Sequence, residues 1–343
     1  MHLKKSLLSV ASLCALGTAH AQSSVTLYGI ADAFVGQKTT GVGAAKVKRS
    51  VVDSDGLANS RWGLKGSEDL GAGLKAEFQL ESLFDITTGA VTQVVTAPAA
   101  TSPQYFSSQA WVGLAGALGS LRLGRQVTPF HSFVGLTNNL YDATAFATTG
   151  TAWNLGNLPN YFGRFDNVVS YETPNFSGLS AKLAYGFGED KTATNAASKN
   201  KSLNIKYASG PLVVGYSFQQ QGGIVSLRPI KYNMLGGAYD FGVARVVAAY
   251  NTASRDNVRD KEWQLGVSVP FGAASIAVGY GRSLGEVNGA PGVDGLGVAL
   301  LGTYDMSKRT RLYTGWRKAQ AENATGSKTA ETATWGVGAI HRF

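Results

Sequence analysis

Leu74-Lys75-Ala76-Glu77-Phe78-Gln79-Leu80-Glu81-Ser82-Leu83-Phe84 decides the fold. Leu74, Ala76, Phe78, Leu80, Ser82 and Phe84 fall on one parity, and Lys75, Glu77, Gln79 and Glu81 on the other, continued by Asp85 beyond. A strand turns successive side chains to opposite faces, so this segment has an oily side and a charged side. The pattern returns at Leu179, Ala181, Leu183, Tyr185 and Phe187. It closes the chain at Trp335, Val337, Ala339, His341 and Phe343, with Arg342 on the other face.

Working outward, the alternation predicts strands at Val25–Val35, Ser60–Gly66, Leu74–Phe84, Phe106–Leu114, Ser120–Gln126, Asp166–Thr173, Leu179–Phe187 and Ser202–Ala208. It continues at Leu212–Gln219, Tyr232–Tyr239, Val243–Tyr250, Glu262–Val269, Ala274–Arg282, Leu296–Tyr304, Thr310–Lys318 and Thr334–Phe343. The total is about sixteen, and an even number suits a single-chain bacterial barrel. Short turns such as Glu68–Gly73 and Ala208–Pro211 alternate with longer connections rich in Ser, Thr, Asn and Gly. Short turns on one rim and long loops on the other are the pattern of an outer-membrane barrel.

The composition agrees. Of 343 residues, 44% are hydrophobic and 15% charged, with 43 glycines and a mean hydropathy of -0.03. Residues 1–21 read as a secretory signal: Lys4 and Lys5, the apolar Leu7–Leu16, and the cleavage pattern Ala19-His20-Ala21. Cys14, the only cysteine, lies inside it, so the exported chain from Gln22 has no disulfide. No later segment approaches the roughly twenty consecutive apolar residues of a membrane helix. The net charge of +9 becomes +7 without Lys4 and Lys5. Export argues against nucleic acid as the partner of this basic chain, leaving anionic solutes or lipopolysaccharide. No linker divides residues 22–343, which read as one domain. The fold class is therefore all-β, a sixteen-stranded antiparallel transmembrane barrel. A sheet survives in hydrocarbon only when closed, and this many strands enclose water. Aromatic rings near strand ends (Tyr28, Trp62, Trp111, Tyr171, Tyr216, Trp263, Tyr280, Trp316, Trp335 and Phe343) suit girdles at the headgroup level.

Alternatives need separate signals. An outer-membrane hydrolase has only His131 and His341 available for histidine chemistry, with no Gly-x-Ser-x-Gly elbow. A metal site is not expected from so few histidines and no cysteine, and no cofactor motif appears. A soluble exported β-sandwich would also alternate.

Six motifs in order carry a resemblance. They are Ser24-Val25-Thr26-Leu27-Tyr28-Gly29, Asn59–Gly71 (NSRWGLKGSEDLG), Gln109–Leu114 (QAWVGL), Leu123-Gly124-Arg125-Gln126, Arg164–Tyr171 (RFDNVVSY) and His341-Arg342-Phe343. Together the chain resembles the general diffusion porins of Gram-negative bacteria, especially the β-proteobacterial type. The resemblance implies a homotrimer in outer-membrane lipid that passes ions and small hydrophilic solutes. It implies that the terminal Phe343 is read by the barrel-assembly machinery. It implies a third external loop folded into the barrel, which fits Val127–Phe162, the longest stretch without strand pattern.

In that family basic wall residues face acids on the inserted loop. Arg61 matches the first ladder arginine, and parity turns Arg61 and Lys65 inward, opposite Trp62 and Leu64. Arg164 matches a later one, and Arg125 stands at the mouth of the loop. Asp142 is the only carboxylate between Val127 and Tyr161, and Ser108 stands where the family usually has arginine. A constriction so short of acid should favour anions weakly. A channel dedicated to one substrate is the nearest rival.

Overall fold

The structure is a computed structural model, and it describes residues 24–93, 104–137, 144–147, 156–188, 191–193, 197–222 and 228–343. The signal segment, Cys14 and Asp142 lie outside these residues.

The chain forms one closed antiparallel sheet. Strand β1 (Ser24–Thr40) pairs on one side with the last strand, β17 (Lys328–Arg342), through a register running from Ile30↔Arg342 to Thr40↔Thr332. Its other side is shared. The upper half pairs with β2 (Val47–Ser54), Ala33↔Ser54 to Thr40↔Val47, and the lower half with β3 (Arg61–Gly71), Ser24↔Ser67 to Ile30↔Arg61. Thus β2 and β3 are one wall position, interrupted where Asp55–Ser60 leaves the sheet. Every later strand pairs with its neighbours in order: β4 (Leu74–Leu83), β5 (Gln109–Gly116), β6 (Gly119–Val127), β7 (Arg164–Glu172), β8 (Leu179–Phe187) and β9 (Lys199–Ser209). The ring continues through β10 (Leu212–Gln221), β11 (Ile230–Asp240), β12 (Arg245–Arg255), β13 (Val258–Phe271), β14 (Ala274–Val287), β15 (Ala290–Asp305) and β16 (Thr310–Glu322). Seventeen segments therefore occupy sixteen positions around a closed ring, and no edge is left in hydrocarbon.

Alternation sets the two faces. Val25, Leu27, Leu183, Leu235, Leu265, Val278 and Val337 are all exposed on the outer face, at 50% or more. The opposite parity carries the charged stripe of β4 and the buried Tyr232, Met234 and Ile340. Trp263, Tyr280, Trp316 and Trp335 stand outward and exposed. Two of the expected girdle rings do not. Tyr28 faces the lumen, where its hydroxyl donates to Glu81 Oε2 (2.9 Å) and accepts from Gln79 Nε2 (2.6 Å). Trp111 alternates with the exposed Val112 and stacks inward beneath the Arg122 guanidinium, 4.5 Å from its ring. Parity outweighs ring chemistry at both positions.

The second half of the wall is taller than expected. β13, β14 and β15 run beyond the expected Glu262–Val269, Ala274–Arg282 and Leu296–Tyr304, so the β14–β15 connection is a tight turn and not a long loop. Asn288 (φ 53°) and Gly289 (φ 78°) both hold left-handed backbone, which matches the twist of a two-residue hairpin.

Candidate pore constriction

The one α-helix among the described residues, α1 (Pro129–Thr137), lies inside the barrel. It packs on the inner wall of β8 to β12. Thr128 Oγ1 accepts from the His131 N–H (3.1 Å) at its start, and Ser202 Oγ accepts from the Phe130 N–H (3.0 Å). At its end Arg245 donates to the Leu136 carbonyl (2.9 Å) and Gln264 Nε2 to the Thr137 carbonyl. Phe130, Phe133 and Val134 are buried with Tyr161, Tyr232 and Met234. The wall is notched to receive them. A Cβ on Gly215 would lie 2.9 Å from the Phe133 ring, so no larger residue fits there without moving the helix.

On the far side of the ring, Thr144–Ala147 is fixed to the inward excursion Asp55–Ser60. Ala145 N–H donates to the Asp55 carbonyl (3.0 Å), and Thr144 Oγ1 to the Gly56 carbonyl (3.0 Å). Phe146 is fully buried between Phe34 (5.2 Å between centroids) and Tyr313 (6.1 Å), over the notch at Gly315. The excursion itself is held by Asp32, which accepts from the Leu57 and Ala58 N–H groups (2.7 and 2.8 Å) and from the Tyr313 hydroxyl (2.5 Å). Asp55 takes a left-handed turn (φ 67°) and accepts from the Ser60 N–H (2.7 Å). Burial pushes its carboxyl above the ordinary range, against the pull of hydrogen bonds from Ser54 and Ser60.

The returning segment is stapled to β13. Asp260, 1% exposed, accepts from the N–H groups of Asn157 (3.1 Å) and Leu158 (2.8 Å) and from Asn157 Nδ2 (3.0 Å). Asn157 sits in a cradle where Gly285 and Gly292 leave room, and it accepts from the Val293 N–H (3.1 Å). The Tyr232 hydroxyl donates to the Pro159 carbonyl (2.7 Å).

Between helix and wall the channel opens into a cavity of about 670 Å³ lined by Arg61, His131, Arg245 and Arg342, with Asp240 as its one acid among the described residues. A smaller cavity of about 470 Å³ shares Ile30, Arg61, His131 and Arg342 with it and adds Glu81 and Arg164. Arg61 Nε is 3.8 Å from Glu81 Oε2. The Ser108 hydroxyl donates to Glu81 Oε1 (2.5 Å), and Arg164 donates to Ser108 Oγ (3.2 Å). Where the family usually has arginine, Ser108 therefore links an acid of one strand to an arginine of another.

The expected site residues separate into three groups. Arg61 and Arg164 meet at this network. Lys65 also points inward but lies lower, with its Nζ 5.3 Å from the Tyr28 ring, in a pocket with Glu77, Gln79 and Trp111. Arg125 does not join them. A bulge between Gly124 and Gln126 breaks the parity counted from Leu121 and Leu123. Arg125 is 7% exposed, ion-paired to Asp166, and donates through Nε to the Ser107 carbonyl (2.9 Å). Arg125→Leu should then leave the half-buried Asp166 without its cation, costing about 2 kcal/mol. Expected is a clear drop in the heat-dissociation temperature with unchanged ion selectivity. Phe343 faces outward, 47% exposed, over Gly29, to whose carbonyl its N–H donates (3.1 Å).

Two further lumenal arginines lie outside the expected site residues. Arg342 carries a parity signal, lying opposite the exposed Trp335 and Val337. Arg245, the first residue of β12, carries none, because its partner, the Leu136 carbonyl, is over a hundred residues earlier.

A family model described as Gram-negative porin matches residues 8–339. The outer membrane porin protein of Bordetella pertussis is 31% identical over 99% of this chain and all of that protein. The outer membrane porin protein 32 of Delftia acidovorans is 32% identical over 91% of this chain and 88% of its own. Among solved structures, the anion-selective porin from Comamonas acidovorans aligns with a TM-score of 0.76 at 27% identity, covering 94% of this chain and all of that one. OmpT of Vibrio cholerae, at 17% identity with a TM-score of 0.67, shares the fold.

Proposed function

The chain belongs to the Gram-negative porin family and forms a water-filled diffusion channel in the outer membrane, and on that premise we propose that the channel weakly prefers anions. Segment Val127–Phe162 is its constriction loop, and the exported unit is residues 22–343. Arg61 and Arg164 form the filter, with Arg342 and His131 beside them. Lys65 adds positive potential nearer the short-turn rim. The observation that carries this reading is the balance of charge around the shared cavity. Among the described residues, Arg61, Arg164 and Arg342 line it together with one carboxylate, Glu81. A surplus of fixed positive charge in a narrow aqueous passage lowers the energy of an anion and raises that of a cation. The Comamonas acidovorans structure, described as an anion-selective porin, supports the sign.

The protein works as a homotrimer, as OmpT of Vibrio cholerae is described in its trimer form. It contacts lipopolysaccharide, and its terminal Phe343 is the mark read during assembly. No catalytic step is assigned to it. The test is the reversal potential of the purified protein in a planar bilayer under a KCl gradient. Anion preference is expected. A cation-selective potential rejects the reading.

A further inference from the structure

A second basic site lies apart from the constriction, between α1 and the short-turn rim. It is a pocket of about 270 Å³ on the wall of β7 to β9. Register fixes its floor. Glu172 stands opposite Lys182, Lys182 opposite Asn204, and Ser180 opposite Lys206, all on the lumenal face. Its roof is the helix face that carries Pro129, Ser132 and Leu136. Arg61, Arg164 and Arg342 take no part in its lining.

The charges in this pocket do not balance. Lys182 Nζ is 3.9 Å from Glu172 Oε2, and Arg122 on the adjoining β6 is 3.9 Å from the same oxygen. Lys206 lines the pocket as well. Among the described residues the lining itself thus holds two cations, Lys182 and Lys206, and one carboxylate; Arg122, outside the lining and stacked on Trp111, brings the cluster around Glu172 to a surplus of two positive charges. At 3.9 Å the Lys182 contact with Glu172 is not a tight hydrogen-bonded pair, so Lys182 keeps donor capacity toward the cavity beside Lys206. Ser180 and Asn204 add uncharged donors, Asn204 through the amide hydrogen not given to the Tyr216 carbonyl, while the Ser132 hydroxyl already donates to the Thr128 carbonyl (3.1 Å). A dianion entering here would neutralise the surplus and accept from several donors at once. A chloride ion could do only the first, and only by half.

We propose that this pocket is a binding site for a small doubly charged oxyanion, for which inorganic phosphate is the probe. It goes beyond the anion preference proposed above: that reading needs only a field at the constriction, whereas this one needs a site with its own occupancy. A bound dianion would sit in the chloride path and make permeation saturable on its side.

The experiment is a phosphate titration of chloride conductance through single channels of the full, outer-membrane-purified protein. Phosphate is added to the short-turn side at constant ionic strength. The wild type should show a saturable fall in chloride conductance. Lys206→Gln and Lys182→Gln should each raise the half-saturating phosphate concentration about tenfold or more, since each removes one charge-assisted partner. Lys206→Gln, which leaves the Glu172 contacts intact, guards against a folding defect in the other variant. Arg342→Gln should keep the saturable fall. A wild-type conductance that does not saturate with phosphate overturns the site. So does a fall that survives Lys206→Gln but vanishes in Arg342→Gln, because phosphate would then act at the constriction. The KCl reversal potential of the same channels separates the two readings: anion preference without phosphate saturation leaves the first standing and removes the second.

Discussion

Asp260→Ala should raise the single-channel conductance and replace its uniform steps with a broad distribution. Three donors converge on this carboxylate from the returning end of the inserted segment: the N–H groups of Asn157 and Leu158 and the Asn157 side chain. Alanine leaves them in a buried site with no acceptor. An unsatisfied buried donor costs roughly 1–3 kcal/mol, so the loss is about 3 kcal/mol or more. That is over a hundredfold in the ratio of docked to undocked segment. The barrel ladder is untouched by the change, so strand content and heat stability of the oligomer should hold. Asp260→Asn keeps one acceptor oxygen and should fall between the two. Limited proteolysis near Asn157 gives a second reading of undocking. Wild-type conductance together with wild-type protease resistance in Asp260→Ala would show that the staple does not hold the constriction.

The second large effect is on selectivity. In the double variant Arg61→Gln, Arg342→Gln the reversal potential under a KCl gradient should collapse to near zero or change sign. Both guanidinium groups line both cavities, and after their removal Glu81 and Asp240 stand against Arg164 and Arg245 among the described residues. A unit charge about 6 Å from a permeating ion is worth roughly 0.7 kcal/mol in water. Two such charges shift anion and cation in opposite senses, together by about 3 kcal/mol before screening. Salt at 0.1 M screens over about 10 Å, so the effect should be clearest in dilute KCl. Glu81→Gln should move the potential the other way. An unchanged anion preference in the double variant would place the filter elsewhere.

The barrel was legible because its signal is local. Leu74–Glu81 shows both faces in eight residues, and the same count turns Arg61 and Lys65 inward. Where the backbone departs from regular pleating, counting fails. Gly124 holds φ 123°, and the bulge beside it sends Arg125 into the wall toward Asp166. Tyr28 and Trp111 were misread because a ring near a strand end suggests a membrane interface, although parity already pointed them inward. β2 was invisible for another reason. Val47–Ser54 has little alternation of its own and is a strand because the upper half of β1 offers it eight partners. The docking of the inserted segment rests on Asp32, Asp260 and a few glycine notches. Each acquires its meaning only from residues far along the chain.

That distance bears on the order of assembly. The Asp32–Tyr313 hydrogen bond joins residues 281 apart, and Phe146 is enclosed by rings from the first strand and the penultimate one. Neither contact can form until the ring has nearly closed, because contacts this remote come late. The parts of the inserted segment therefore settle at different times: the helix packs on β8 to β12 and Leu158 is held by Asp260 of β13, whereas Phe146 is enclosed only once β16 has come round to β1.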